Sequence, residues 1–314
     1  MNMRPSPVTP AEVNKQWVLK KCDYLMEVQL WPFRYVLNPE RWLANFTESE
    51  MNHAVHLLNS FLYFSERFVD QMFIATFQSL SSLIIEKGEP LLSLQTAWRA
   101  FMDSVLITHV VGENPSVTDS GLLFARKSRQ LLEVGESRIL SPKEVLTELY
   151  FKGGSRPVVF VDDFVGSGEQ FVKTWRREES LAGGVTVSFE RIASVRRNDF
   201  FYCTLLSTQG GHDRLLRQVP RVKICAAHVL SSKYSALSAD SLIWPEPLKP
   251  TAVQFIYEAS MRAGIPDTDG ADVNDWQGFN KQGLGLAFAH SVPDATLPIF
   301  YWEQNDWNPL ARRS

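Results

Sequence analysis

Four consecutive apolar residues, Val158-Val159-Phe160-Val161, run into an acidic pair, Asp162-Asp163, and then, past Phe164 and Val165, into the small-residue turn Gly166-Ser167-Gly168. A strand that is apolar at every position has to be covered on both faces, as strands of parallel sheets in α/β proteins are. Behind the turn, Phe171, Val172 and Trp175 recur at helical spacing and give the next element a single apolar stripe. Strand, turn and helix in that order predict an α/β fold with a mainly parallel sheet flanked by helices. From about residue 103 onward the chain keeps this alternation. Strands are expected at Ser104–Val111, Val158–Val161, Val185–Ala193, Val222–Leu230 and Leu284–Ala289, with helices around 119–133, 168–180, 210–217 and 250–263. In such sheets ligands sit beyond the carboxyl ends of the strands, which directs attention to the loops after the first two.

Residues 1–100 have a different texture. Leu57, Leu58, Phe61, Leu62, Phe64 and Phe68, then Met72, Phe73, Phe77 and Leu80, recur at three- and four-residue steps, and Pro32 and Pro39 break the pattern into segments. A helical N-terminal extension over 1–100 and an α/β domain over 101–314 are therefore expected. The 32 Lys+Arg against 35 Asp+Glu leave a net charge of −3, so no global basic field marks the chain for nucleic acid or a membrane surface. No apolar stretch reaches membrane-spanning length, no signal-peptide pattern opens the chain, and Cys22, Cys203 and Cys225 have neither disulfide-framework nor zinc spacing. A soluble, cytoplasmic protein without a membrane partner is expected. His53 and His56 lie three apart on a helix but lack a third ligand at matching spacing, and Gly210-Gly211-His212-Asp213 reads as a turn before a helix.

The chemistry concentrates in the loop after Val161. Gly166, Ser167 and Gly168 lack bulk, so an anion can approach the backbone, and amides at the start of the following helix favour negative charge. Asp162 and Asp163 lie close enough to accept hydrogen bonds from two neighbouring hydroxyls. Together they describe a ribose 5-phosphate cradle, whereas a receiver-type acidic pocket or a structural acidic turn would explain the pair without ribose. A Walker A loop is excluded because no Lys follows Gly168, and a dinucleotide fingerprint because Phe171 stands where a third glycine is needed. After the strand at 104–111, Asn114 and Ser116 in a polar loop, with Arg126 beyond it, are a second candidate anion site or simply a helix cap. His290, at the end of the expected strand Leu284–Ala289, is a candidate general acid/base at the same sheet edge. The terminal Trp302 and Trp307 either cover a base or pin the tail to the core.

The acidic pair and the turn resemble the phosphoribosyl pyrophosphate loop of type I phosphoribosyltransferases. Gly112–Ser116 with Asp119–Gly121 and Arg126, and the run from Leu284 to Trp302, are similar to the phosphoribosyltransferase-like effectors of prokaryotic conflict systems, some of them retron-associated. The resemblance implies a phosphoribosyltransferase-like α/β fold in which Asp162 and Asp163 bind the ribose hydroxyls and Val165, Gly166, Ser167, Gly168, Glu169 and Gln170 bind the 5-phosphate. It further implies phosphoribosyl pyrophosphate or a nucleotide as ligand, Mg²⁺ as cofactor with Asp162 and Asp163 as its ligands, and an anti-phage toxin. An inhibitory retron reverse transcriptase with its RNA/DNA product is the implied partner, with room for homo-oligomerisation. One departure stands out: Glu169-Gln170 replace the family's Gly-Thr ending, and Glu169 would oppose a phosphate unless it turns away.

Overall fold

A computed structural model describes residues 14–84, 88–111 and 120–313. In chain order the elements are α1 (Lys15–Glu27), α2 (Pro39–Leu43), α3 (Met51–Asn59), β1 (Leu62–Phe64), α4 (Glu66–Ser79), α5 (Ser81–Ile84), α6 (Leu91–Ser104), β2 (Leu106–His109), α7 (Ser120–Leu131), α8 (Pro142–Phe151), β3 (Val158–Val165), α9 (Glu169–Arg176), β4 (Glu179–Ser180), β5 (Thr186–Val187), α10 (Phe189–Val195), β6 (Phe200–Thr208), α11 (Gln209–Gln218), β7 (Val222–Leu230), α12 (Lys249–Ala263) and β8 (Leu286–Phe288). They divide into two units, one of residues 67–230 and one of residues 1–66 with 231–314. The expected boundary at residue 100 falls within α6.

The unit of residues 67–230 is built on a four-stranded, all-parallel sheet in the order β2-β3-β6-β7. Alternate residues of the strands face opposite sides. Val158 and Phe160, with Phe200, Tyr202 and Val222, join the core lined by Leu146, Phe171, Trp175, Phe189 and Leu215 from α8, α9, α10 and α11. On the other side, Phe101 of α6 meets Phe201 edge-on at 5.7 Å, and Ser79 of α4 bonds Cys225 at 2.7 Å. The strand order never reverses, so these four strands do not open the crevice that a reversal creates in many α/β sheets.

Three strand expectations need correction. β3 runs four residues beyond Val161, so Asp162 and Asp163 lie inside the strand rather than after it. Residues 185–193 are not a sheet strand: Thr186–Val187 pairs only with Glu179–Ser180, and Ser188 accepts the Arg191 amide at 3.2 Å to cap α10. The strand in that place is β6, whose first eight residues, Phe200–Ser207, are all buried. Finally, β8 does not join this sheet; it pairs in parallel with β1, Leu62 opposite Leu286 and Phe64 opposite Phe288.

The unit of residues 1–66 and 231–314 is held by aromatic side chains from both ends of the chain. Trp42 stacks on Phe300 at 5.3 Å, Phe46 meets Trp307 edge-on at 5.4 Å, and the indoles of Trp42 and Trp307 both donate to the Ile299 carbonyl. Trp302 is buried and donates to the Ala263 carbonyl at 2.9 Å. The aromatic tail therefore pins its own unit. His53 bonds the Leu248 carbonyl and Thr251 Oγ1 and stacks on Phe255, and burial lowers the pKa of both His53 and His56. No helix among the described residues is long and apolar enough to cross a membrane.

Candidate functional site

Three elements fix the loop after β3. Phe171 on α9 lies between the sheet and its neighbours, stacked on Tyr202 at 4.1 Å and edge-on to Phe160 at 5.1 Å, while Trp175, one turn later, meets Phe200 at 5.0 Å. Fully burying an aromatic side chain of this kind is worth roughly 2–3 kcal/mol, so the start of α9 is anchored firmly to the strands it follows. The turn itself rests on α11. Thr208 Oγ1 donates to the Gly166 carbonyl at 2.6 Å and accepts the Gly211 amide at 3.0 Å. A Cβ on Gly211 would lie 2.1 Å from the Gly166 oxygen, so only glycine permits this backbone approach.

Gly168 closes the turn in the left-handed region, at φ +74°, and leads into α9 without a capping side chain. Among the described residues, the one side-chain contact to the first helical amides is long, Glu169 N to Ser167 Oγ at 3.4 Å. Uncapped amides at a helix start are an anion site in waiting. Glu169 turns away from it. Its carboxylate pairs with Lys173 at 3.1 Å, one turn along α9, and with Arg214 of α11 at 3.8 Å.

Asp162 and Asp163 are each only 5% exposed. Asp162 Oδ1 accepts the Asp163 amide at 3.0 Å, and Oδ2 accepts the Tyr202 hydroxyl at 2.9 Å. Burial, first, and then the adjoining Asp163 charge push the Asp162 pKa well above the usual carboxylate range; a hydrogen bond between the two carboxyls adds to this, while Tyr202 and the Asp163 amide pull the other way. The pair thus favours sharing a proton. Tyr202 is itself pushed well up, by burial and then by Asp162.

This chemistry matches a protein-held magnesium ion poorly. Such an ion takes ionised oxygen ligands and keeps several waters, whereas Asp162 is buried, favours its proton and already accepts two hydrogen bonds. No three His, Cys, Asp or Glu side chains converge as a metal site among the described residues.

The structure therefore brings together Asp162, Asp163, Val165, Gly166, Ser167, Gly168, Glu169 and Gln170 on β3, its turn and α9. Asn114 and Ser116 lie outside the described residues. Arg126 is exposed on α7, and its neighbours go separate ways: Lys127 is buried against Asp70 of α4, and Arg129 reaches Glu136. His290 follows β8 and stacks on Phe288 at 5.3 Å in the other unit, so the shared sheet edge that made it a candidate acid/base does not exist. Tyr202, Thr208 and Gly211 are the residues that sequence reasoning missed; the Gly210-Gly211 pair after an apolar run was the one visible signal.

A strand carrying an acidic pair, a glycine turn and an uncapped helix start is the arrangement on which the comparison with known families bears. The PRTase-CE family model, a phosphoribosyltransferase-like family, matches residues 39–313. The chain belongs to the PRTase-CE family. That match covers both units, so the aromatic-rich unit is part of what defines a PRTase-CE chain and not an appendage to it. No curated protein and no solved structure matches the chain.

Proposed function

We propose that this PRTase-CE chain binds a ribose-phosphate ligand, phosphoribosyl pyrophosphate or a nucleotide, at the β3–α9 loop and acts by glycosyl transfer as a toxic effector of an anti-phage system in the cytoplasm. The observation that carries the reading is the uncapped start of α9 behind Gly168, one turn beyond the acidic pair. The amides of α9 would hold the 5-phosphate, and Asp163 with Asp162 would accept the ribose hydroxyls and fix the sugar. As the bond from the anomeric carbon to pyrophosphate breaks and an acceptor atom of a nucleotide, nucleic acid or protein bonds there in its place, positive charge develops on the sugar, and the negative charge shared by the acidic pair would stabilise it. A divalent metal, if used, would arrive on the ligand's own phosphates. An inhibitory partner such as a retron ribonucleoprotein would keep the toxin silent.

The burial of the acidic pair and its bond to Tyr202 favour a second reading, a catalytically silent cradle that senses a ribose-phosphate and changes protein contacts. Growth arrest on expression separates the two. Glycosyl transfer predicts that Asp162→Asn/Asp163→Asn abolishes arrest; a variant as toxic as the parent contradicts it.

A further inference from the structure

A basic cleft adjoins the ribose-phosphate loop and shares Glu169 and Gln170 with it. The cleft, of about 770 Å³, runs over α9 and the adjoining end of α11 and reaches Val111, and among the described residues its charged lining is four cations, Lys173, Arg176, Arg177 and Arg214, against one carboxylate, Glu169. In a chain of net charge −3, that is a local reversal of sign. The volume exceeds what a single inorganic phosphate fills and falls in the range of small-molecule sites.

Three of the cations make exposed ion pairs. Arg176 reaches Glu190 at 3.3 Å, Arg177 reaches Glu179 at 3.1 Å, and Lys173 reaches Glu169 at 3.1 Å, with the basic side chains 48–52% exposed. Exposed pairs of this kind contribute about 0–1 kcal/mol and yield readily to a multivalent anion. Arg214 is the least satisfied: its contact with Glu169, at 3.8 Å, is beyond hydrogen-bond reach, and its buried Nε has no hydrogen-bond partner. A guanidinium lining the same cleft as Lys173 and Arg177, which stand one helical turn apart, is suited to bridging phosphates of one chain.

We infer that this cleft binds a linear polyphosphate-bearing anion, the phosphate chain of a nucleotide or the backbone of a single-stranded nucleic acid. The cleft shares Glu169 and Gln170 with the ribose-phosphate loop, but the acidic pair takes no part in it.

The test is fluorescence anisotropy of the full chain with a short labelled single-stranded oligodeoxynucleotide, competed by inorganic tripolyphosphate and, separately, by monophosphate. Binding should weaken with salt, with a log–log slope of about −2 for three phosphate contacts. Lys173→Gln/Arg177→Gln, at half-exposed positions, should weaken it about tenfold, as should Arg214→Gln, while Glu169→Gln should tighten it. Asp162→Asn/Asp163→Asn should leave it unchanged, which separates this site from the acidic pair. Oligonucleotide binding that tripolyphosphate fails to displace assigns the cleft to nucleic acid, and binding of tripolyphosphate alone assigns it to nucleotides. Absence of binding by both probes, or equal binding by parent and Lys173→Gln/Arg177→Gln, overturns the inference.

Discussion

Asp162 is where burial and charge disagree most sharply. Its carboxyl sits inside a strand at 5% exposure, beside a second carboxyl, with its pKa well above that of an unfolded aspartate. Between the unfolded value, about 3.9, and the raised folded one, the folded protein holds the extra proton. Stability must then fall as pH rises through that window, and the loss is complete above the folded pKa. Asp162→Asn removes the titration while its amide oxygen still accepts from Tyr202. Thermal denaturation should show the variant gaining on the parent as pH rises above about 4, the unfolded value. A difference between the two proteins that does not change with pH contradicts this account. The adjoining carboxyl was legible from the sequence but the burial was not, because the pair was expected beyond the end of its strand, and Tyr202, 40 positions away, met Asp162 only when β6 took its place beside β3.

Among the elements, the β3–α9 turn is the one whose shape depends on a distant backbone. Gly211 lets the first turn of α11 press against the Gly166 carbonyl, and Gly168 adopts its positive φ within 3.0 Å of the Gly211 oxygen, measured to where a Cβ would sit. Gly211→Ala should force the turn off α11, costing about 1–3 kcal/mol as overpacked sites do, and should weaken anion binding at α9. An alanine variant with parental stability and binding would show that the turn does not need this support. The strand–turn–helix order was legible from the apolar run and the spacing of Phe171, Val172 and Trp175, and the helices near 119–133, 210–217 and 250–263 fall where periodicity placed them. Two errors came from short apolar runs, whose period is ambiguous. Thr186–Val187 looked like the start of a strand, but Ser188 caps a helix there, and the continuous run Phe200–Leu206 carried no alternation to announce β6.

For the whole molecule, contacts and not sequence order decide which segments belong together. The N-terminal segment to Glu66 shares a core with α12 and the Trp302–Trp307 tail, and β1 supplies the strand that β8 lacks. Local periodicity cannot reveal a pairing 224 residues apart, Leu62 with Leu286, and so His290 was assigned to the wrong sheet. The family match, which spans both units, agrees with treating them as one protein. The proposed function places a ribose-phosphate ligand at the β3–α9 loop. Isothermal titration of the full chain with phosphoribosyl pyrophosphate and magnesium, alongside ribose 5-phosphate, is the most direct test. The account predicts saturable binding of both ligands that is lost in Asp162→Asn/Asp163→Asn; no heat of binding in the parent, or undiminished binding in the variant, would contradict it.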